Sequence, residues 1–224
     1  MSRSFRLAWL ALALGACSSR LPAPEWQLNA KSAMDRAVTT YLAGDTRGST
    51  AEFERARGEI ARTGRIDLLA RAELMLCAAR VASLEFATCE GFEKLRADAA
   101  APERAYADYL AGRVSAETIA LLPPAQRAVA AKGASDESAA ASVKDIEDPL
   151  SRLVAAGVLM QSGRVTPSVA TLAVETASAQ GWRRPLLAWL GVQRMRAEKA
   201  GDSTAAERLQ RRIEIIEQTG QQTK

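Results

Sequence analysis

The sequence predicts an all-α protein built from helical hairpins. The chain has 224 residues, of which 48% are hydrophobic but only 5% are aromatic. Much of the apolar content is alanine, which favours closely packed helices over a β-sandwich, because sandwich strands are rich in β-branched and aromatic side chains. From about Trp26 onward, apolar residues recur at helical spacing, and no segment alternates between apolar and polar residues as a strand does.

The amino-terminal segment has the three parts of an export signal. Arg3 and Arg6 precede an apolar run over 7–14, and small residues lead into Cys17. The run is too short to span a bilayer. Leu14-Gly15-Ala16-Cys17 resembles the lipobox of bacterial lipoproteins, in which the cysteine is lipidated and the chain is cut before it. This resemblance implies several acyl chains on Cys17, which anchor a protein stably to a membrane.

The same resemblance predicts the location and organisation of the mature protein. Ser18, rather than aspartate, follows the lipidated cysteine, and this favours the periplasmic side of the outer membrane. An ordinary secretory signal with an incidental cysteine is the alternative. The predicted parts are a removed signal peptide (1–16), a lipidated tether (17–27), a helical domain (28–218) and a polar tail (219–224).

Capping residues and glycines predict the first three helices. The first ends at Gly44-Asp45, and the second begins with a capping box formed by Ser49 and Glu52. A third helix, from about Ile66 to Leu84, is apolar around much of its circumference and is therefore expected to be central and largely buried. The predicted inward faces are Ala30, Met34, Ala37, Val38, Tyr41 and Leu42 on the first helix, and Phe53, Ala56 and Ile60 on the second.

Shorter helical pieces are predicted after the third helix, followed by longer ones. The small and polar stretch 132–142 is the best place for a mobile connection. Asp148-Pro149 and Thr166-Pro167 each combine a cap with a proline in the first helical turn, and Pro185 begins the next helix. The short pieces cover 91–99, 102–111, 115–122 and a segment from Pro123, and the last helix presents Ala206, Leu209, Ile213 and Ile216.

The first hairpin resembles a tetratricopeptide repeat at Ala37, Gly44, Ser49, Phe53 and Ala56. Thr40 occupies the aromatic position of the first helix, and Tyr41 lies one residue late. The last hairpin matches less well, because aligning Gly201 with the turn places Arg194 and Gln210 at the small and aromatic positions. No period of about 34 residues links the hairpins. The resemblance implies a tetratricopeptide-like α-solenoid, or α-α superhelix, that is irregular in the middle.

The composition excludes several kinds of chemistry. The chain has no histidine, which excludes Ser-His-Asp and Cys-His centres and imidazole-ligated zinc, and no calcium or phosphate loop occurs. No metal or other cofactor is expected. Glu103 and Asp108, near Tyr106 and Tyr109, are the candidates for a carboxylate-dependent enzyme that acts on the cell wall. The net charge is +4, and +2 without Arg3 and Arg6, with mixed signs along the helices, so no nucleic-acid surface is indicated.

Two further groups of residues invite interpretation. Cys77 and Cys89 lie too far apart to bond within one helix, but a turn near 85–88 would bring them together, so a structural disulfide is favoured over two buried thiols. Gly181-Trp182-Arg183-Arg184-Pro185 is followed by Trp189. Trp and Arg are typical anchors of protein interfaces, but they also fill core gaps and cap helices.

The sequence therefore predicts a non-enzymatic lipoprotein that is anchored to the outer membrane and acts as an adaptor for a protein of the cell envelope. The partner would bind in the concavity of the helical hairpins, and Trp182, Arg183, Arg184 and Trp189 are the candidate contacts if they do not serve packing and capping instead. Resemblance to tetratricopeptide lipoproteins implies a role in envelope assembly or maintenance. The alternatives are the carboxylate-dependent cell-wall enzyme and a purely structural lipoprotein that associates with copies of itself.

Overall fold

The computed structural model of the chain describes residues 23–131 and 136–221, and in these ranges all regular secondary structure is helical. The predicted all-α class is therefore confirmed for the described residues. The α-helices are α1 (Glu25–Ala43), α2 (Thr46–Ala61), α3 (Ile66–Ala82), α4 (Glu90–Glu93), α5 (Ala101–Leu110), α6 (Pro124–Ala130), α7 (Asp136–Lys144), α8 (Pro149–Gln161), α9 (Pro167–Ala179), α10 (Arg183–Lys199) and α11 (Ser203–Gln221), with a 3-10 helix over Ala116–Leu121.

Helices α1 and α2 form the predicted first hairpin, with the predicted apolar faces buried. Gly44 adopts the left-handed conformation, with φ of 100°, and ends α1 as glycine does with little strain. The predicted capping box is wrong, because Asp45 caps α2 by accepting the N–H of Gly48 at 2.8 Å. Ser49 instead lies inside α2, buried, and its hydroxyl donates to the carbonyl oxygen of Ala37 at 2.8 Å.

Helix α3 is buried on two sides, which explains why apolar residues occur around most of its circumference. One side, with Ala72, Leu76 and Ala79, completes the hydrophobic cluster of α1 and α2. Other α3 residues, including Leu74 and Val81, belong to a larger cluster built with α5 to α10. Helix α3 is therefore central, as predicted, although it ends at Ala82 rather than Leu84.

Helix α8 lies against the second side of α3 at very short distance. The contact is made at Gly157, where a Cβ atom would be 2.3 Å from the carbonyl oxygen of Val81. The predicted caps of α8 and α9 are present, because the Asp148 carboxylate accepts the N–H of Ser151 and the Thr166 hydroxyl accepts the N–H of Val169. After α8, each helix packs on the next through α11.

Three predicted boundaries in the second half are wrong, and so is one near the start of the chain. The stretch 132–142 is not one mobile connection, because α7 begins at residue 136 and Ala139 and Val143 are fully buried; residues 132–135 lie outside the described chain. Helix α10 begins at Arg183, before Pro185. Helix α11 continues to Gln221, so the predicted tail over 219–224 begins inside a helix, and α1 likewise begins inside the predicted tether.

Candidate functional site

The lipobox-like segment lies outside the described residues. The described chain begins at residue 23, just before α1, so the structure carries no description of Cys17 or of the segment before it. Among the described helices, none has both the length and the apolar character required to cross a membrane.

Cys77 and Cys89 form a disulfide in the structure. Their sulfur atoms are 2.12 Å apart and their Cα atoms 5.9 Å apart. Cys77 lies in α3, and the chain reverses after Ala82 through Leu84, whose φ is 60°, to bring Cys89 back to the start of α4. A turn that brings the two cysteines together is therefore present, but it lies at Ser83 and Leu84 rather than near 85–88.

The two tryptophans of the predicted partner-binding cluster pack inside the protein. Trp189 has no exposed surface, and its indole N–H donates to the carbonyl oxygen of Ala82 at 3.1 Å. Trp182 is half-buried and contacts both hydrophobic clusters. The assignment of Trp189 to an exposed binding surface is therefore wrong in this fold, since a partner has no access to its ring.

The two arginines of the same cluster join helices within the chain. Arg184 donates through Nε to the carbonyl oxygen of Tyr41 at 2.8 Å and through Nη2 to the hydroxyl of Thr46 at 2.7 Å. It also pairs with Glu85 at 3.2 Å, and its guanidinium lies 4.2 Å from the centre of the Tyr41 ring. Arg183 donates to the carbonyl oxygen of Ile216 at 3.2 Å.

These contacts make the cluster a junction between the first hairpin and the start of α10. Burial raises the pKa of Tyr41, and the negative charge of Glu85 raises it further, while Arg184 opposes the shift. Tyr41 therefore stays neutral at physiological pH and presents its ring to the cation. The interpretation as core gap-filling and helix capping fits these contacts better than an exposed surface does.

The two candidate catalytic carboxylates engage different partners. Glu103 is 6% exposed and accepts a hydrogen bond from Arg71 Nε at 2.5 Å. Asp108 pairs with Arg96 at 3.2 Å and lies 3.6 Å from Arg113. Five positions along a helix rotate a side chain by roughly 140°, so Glu103 and Asp108 leave α5 in different directions. This geometry does not suit a pair of acids that flank one glycosidic bond.

Tyr109 packs in the core, and Tyr106 is half-buried against the larger cluster. The Tyr109 hydroxyl donates to Gln126 Oε1 at 2.7 Å, and Gln126 Nε2 donates to the carbonyl oxygen of Ser151 at 3.0 Å. The rings of Tyr106 and Tyr109 have centres 6.1 Å apart. Burial raises the pKa of both hydroxyl groups, so neither tyrosine acts as a base near neutral pH.

An apolar cleft of about 430 Å³ lies beside Glu103 and is hereafter called the Glu103 cleft. Met75 and Leu121, which line it, are 43% and 39% exposed, so the cleft presents apolar surface to water. Sequence reasoning missed the cleft because α3, α5 and the segment around Pro123 meet only in the folded chain. The lining residues are Arg71, Leu74, Met75, Pro102, Glu103, Tyr106, Leu121, Leu122 and Pro123.

The described residues include no group of three His, Cys, Asp or Glu side chains placed to hold a metal ion. No protein-family model, curated protein or solved structure matches the chain. The Glu103 cleft is therefore the candidate site, and its two charged lining residues are Arg71 and Glu103.

Proposed function

We propose that this protein is a lipoprotein anchored by Cys17 to the periplasmic side of the outer membrane, where it acts as a non-enzymatic adaptor for a protein of the cell envelope. The observation that carries the proposal is Leu14-Gly15-Ala16-Cys17 behind a short apolar run. The Cys77–Cys89 disulfide supports it, because such bonds persist in oxidising compartments such as the periplasm.

The helical architecture supports the adaptor part of the proposal. Helical hairpins that share faces, as α1 and α2 do with α3, are the units from which α-α superhelices build binding surfaces. In this proposal the first hairpin is tetratricopeptide-like and the whole chain is an irregular superhelix. The divergent directions of Glu103 and Asp108 favour the adaptor over a carboxylate-dependent enzyme.

The lipid anchor is tested by changing its proposed attachment residue. Cys17→Ala is expected to abolish incorporation of a clickable palmitate analogue and to move the protein out of the detergent-rich phase on Triton X-114 partitioning, because the acyl chains are lost. The double variant Cys77→Ala/Cys89→Ala is the matched control, since it removes cysteines but leaves the lipidation site. Equal labelling of wild type and Cys17→Ala contradicts the anchor.

The adaptor role is tested with a photo-crosslinking amino acid at Met75, on the rim of the Glu103 cleft. A second position at Arg211, on the exposed side of α11, serves as the control. Reproducible crosslinks from position 75 to one envelope protein, absent from position 211, are the expected result. Crosslinks only to other copies of this chain would favour the purely structural lipoprotein instead.

A further inference from the structure

The Glu103 cleft has the dimensions of a pocket for one large side chain or a small molecule. Its volume of about 430 Å³ falls in the range of ligand pockets, about 300–1,000 Å³. All of its lining residues except Arg71 and Glu103 present mainly apolar surface. Filling the cleft with an apolar group would remove Met75 and Leu121 from water, which is favourable by the hydrophobic effect.

Glu103, which lines the cleft, has one buried carboxylate oxygen without a hydrogen-bond partner. Oε1 accepts from Arg71, but Oε2 is buried and has no hydrogen-bond partner within the described part of the chain. A buried polar atom without a partner costs about 1–3 kcal/mol, and more when it is charged. The occupant that best complements the cleft therefore combines an apolar body with a hydrogen-bond donor.

The donor is expected to be neutral rather than cationic. The guanidinium of Arg71 already supplies a positive charge to the Glu103 carboxylate at 2.5 Å, and its side chain is 59% exposed at the mouth of the cleft. Arg71 and Glu103 together carry no net charge, so a charged group in the cleft would meet a like charge as well as an opposite one. An indole has a large apolar ring and a single N–H that donates but does not accept, so it matches both requirements.

We propose that the Glu103 cleft binds a tryptophan side chain of a partner protein, with the indole N–H donating to Glu103 Oε2. This inference rests on the proposed adaptor function and names the chemistry of its partner. Tryptophan is enriched among the residues that dominate protein interfaces, and they bind in desolvated pockets of this kind. Because Oε2 is buried, binding requires side chains that line the cleft to shift, and Met75, which is unbranched and adapts readily to neighbouring groups, is the one that we expect to move.

The test compares indole with 1-methylindole, which keeps the ring but has no N–H. Binding is followed by NMR of the Met75 methyl group in the full chain carrying Cys17→Ser, so that no lipid competes for the ligand. Indole is expected to shift this signal and to bind about tenfold more tightly than 1-methylindole, the difference that a hydrogen bond to a charged acceptor provides. Glu103→Leu is expected to abolish that difference, and Asp108→Leu, on another side of α5, to preserve it.

Equal affinities of the two ligands for the wild-type chain, or no shift of Met75 with either, would overturn the proposal. A Met75 shift that follows protein concentration without ligand would assign the cleft to a second copy of the chain and would also overturn it. If Glu103→Leu fails to fold, the comparison of indole with 1-methylindole on the chain that keeps Glu103 still tests the proposal. Failure of the lipid anchor appears in the Cys17 labelling experiment and leaves this binding result unchanged.

Discussion

The first hairpin and the rest of the molecule bury their apolar residues in different ways. The cluster of α1 and α2 is local: apart from Ala72, Leu76 and Ala79 of α3, every buried residue in it comes from those two helices. The second cluster gathers residues from α3 to α10, including helices as short as the four residues of α4. The first cluster is therefore specified mainly by sequence neighbours, whereas the second depends on contacts between distant segments.

The difference predicts where substitutions act most strongly. The apolar residues of the first hairpin are close in sequence, but the hairpin still needs α3 to cover its apolar face, because two helices alone bury too little surface. The larger cluster depends instead on close approach between helices that are far apart in the chain. Disrupting that approach should therefore destabilise the protein more than weakening the attachment of the hairpin.

The largest effect is expected from Gly157→Ala, at the contact of α8 with α3. The added Cβ meets the backbone carbonyl of Val81, which cannot move aside without shifting a helix, so a loss of about 3 kcal/mol in the free energy of unfolding is expected. Gly58→Ala in α2 is the matched control, because nothing lies near its Cβ position, and a gain of about 0.5–1 kcal/mol is expected there. Urea denaturation measures both, and equal effects of the two substitutions would contradict the close approach.

A smaller and more localised effect is expected from Arg184→Ala. The side chain is the polar link between α10 and the first hairpin, through Tyr41 and Thr46, so its loss should cost about 2 kcal/mol. Hydrogen exchange should quicken at amides of α1 and α2 while α8 and α9 keep their protection. Arg211→Ala, which removes only an exposed ion pair, should change neither region. Uniform loss of protection across the molecule after Arg184→Ala would show that the two regions unfold together.

The smallest effect on stability is expected from Asp67→Asn, at a residue that faces solvent at the start of α3. Arg65 donates two hydrogen bonds to its carboxylate, at 2.8 and 2.7 Å, and lowers its pKa from 3.8 to about 2. Because the pKa is lower in the folded than in the unfolded chain, this stabilisation is present above pH 4 and is lost as the pH falls toward 2.

The melting temperature of Asp67→Asn should therefore lie slightly below that of the wild type at pH 6, and the two should converge near pH 2. Thermal unfolding followed by circular dichroism at several pH values measures the difference. A difference that does not change with pH would mean that the ion pair contributes nothing to folding.

The helices that could be predicted from the sequence are those with local signals. Gly44 marks the C-terminus of α1, and Asp148 and Thr166 mark the N-termini of α8 and α9. Each of these caps acts within one turn of its own helix, so each can be recognised from the local sequence. Helix α7 was missed because its small and polar residues resemble a linker, and only tertiary contacts bury Ala139 and Val143. Local composition carries no information about those contacts.

The same distinction between local signals and tertiary contacts applies to the candidate site residues. The Cys77–Cys89 disulfide could be favoured from the sequence, because the separation of the two cysteines and the predicted export signal are both visible there. The Trp182 to Trp189 segment has the composition of an interface, and only the fold shows that Arg184 reaches Tyr41, far away in the chain. The Glu103 cleft depends on the meeting of three segments, so neither its apolar lining nor the unused Glu103 oxygen could be foreseen.

The two-sided burial of α3 also constrains how the sequence can vary. Ala72 and Ala79 face one cluster while Ala78 and Ala82 face the other, so larger residues at these positions would push against a packed neighbour in either direction. Met75 is different, because it opens onto the cleft and can change size without displacing a helix. Random mutagenesis of this segment should therefore recover folded variants far more often at position 75 than at its alanines.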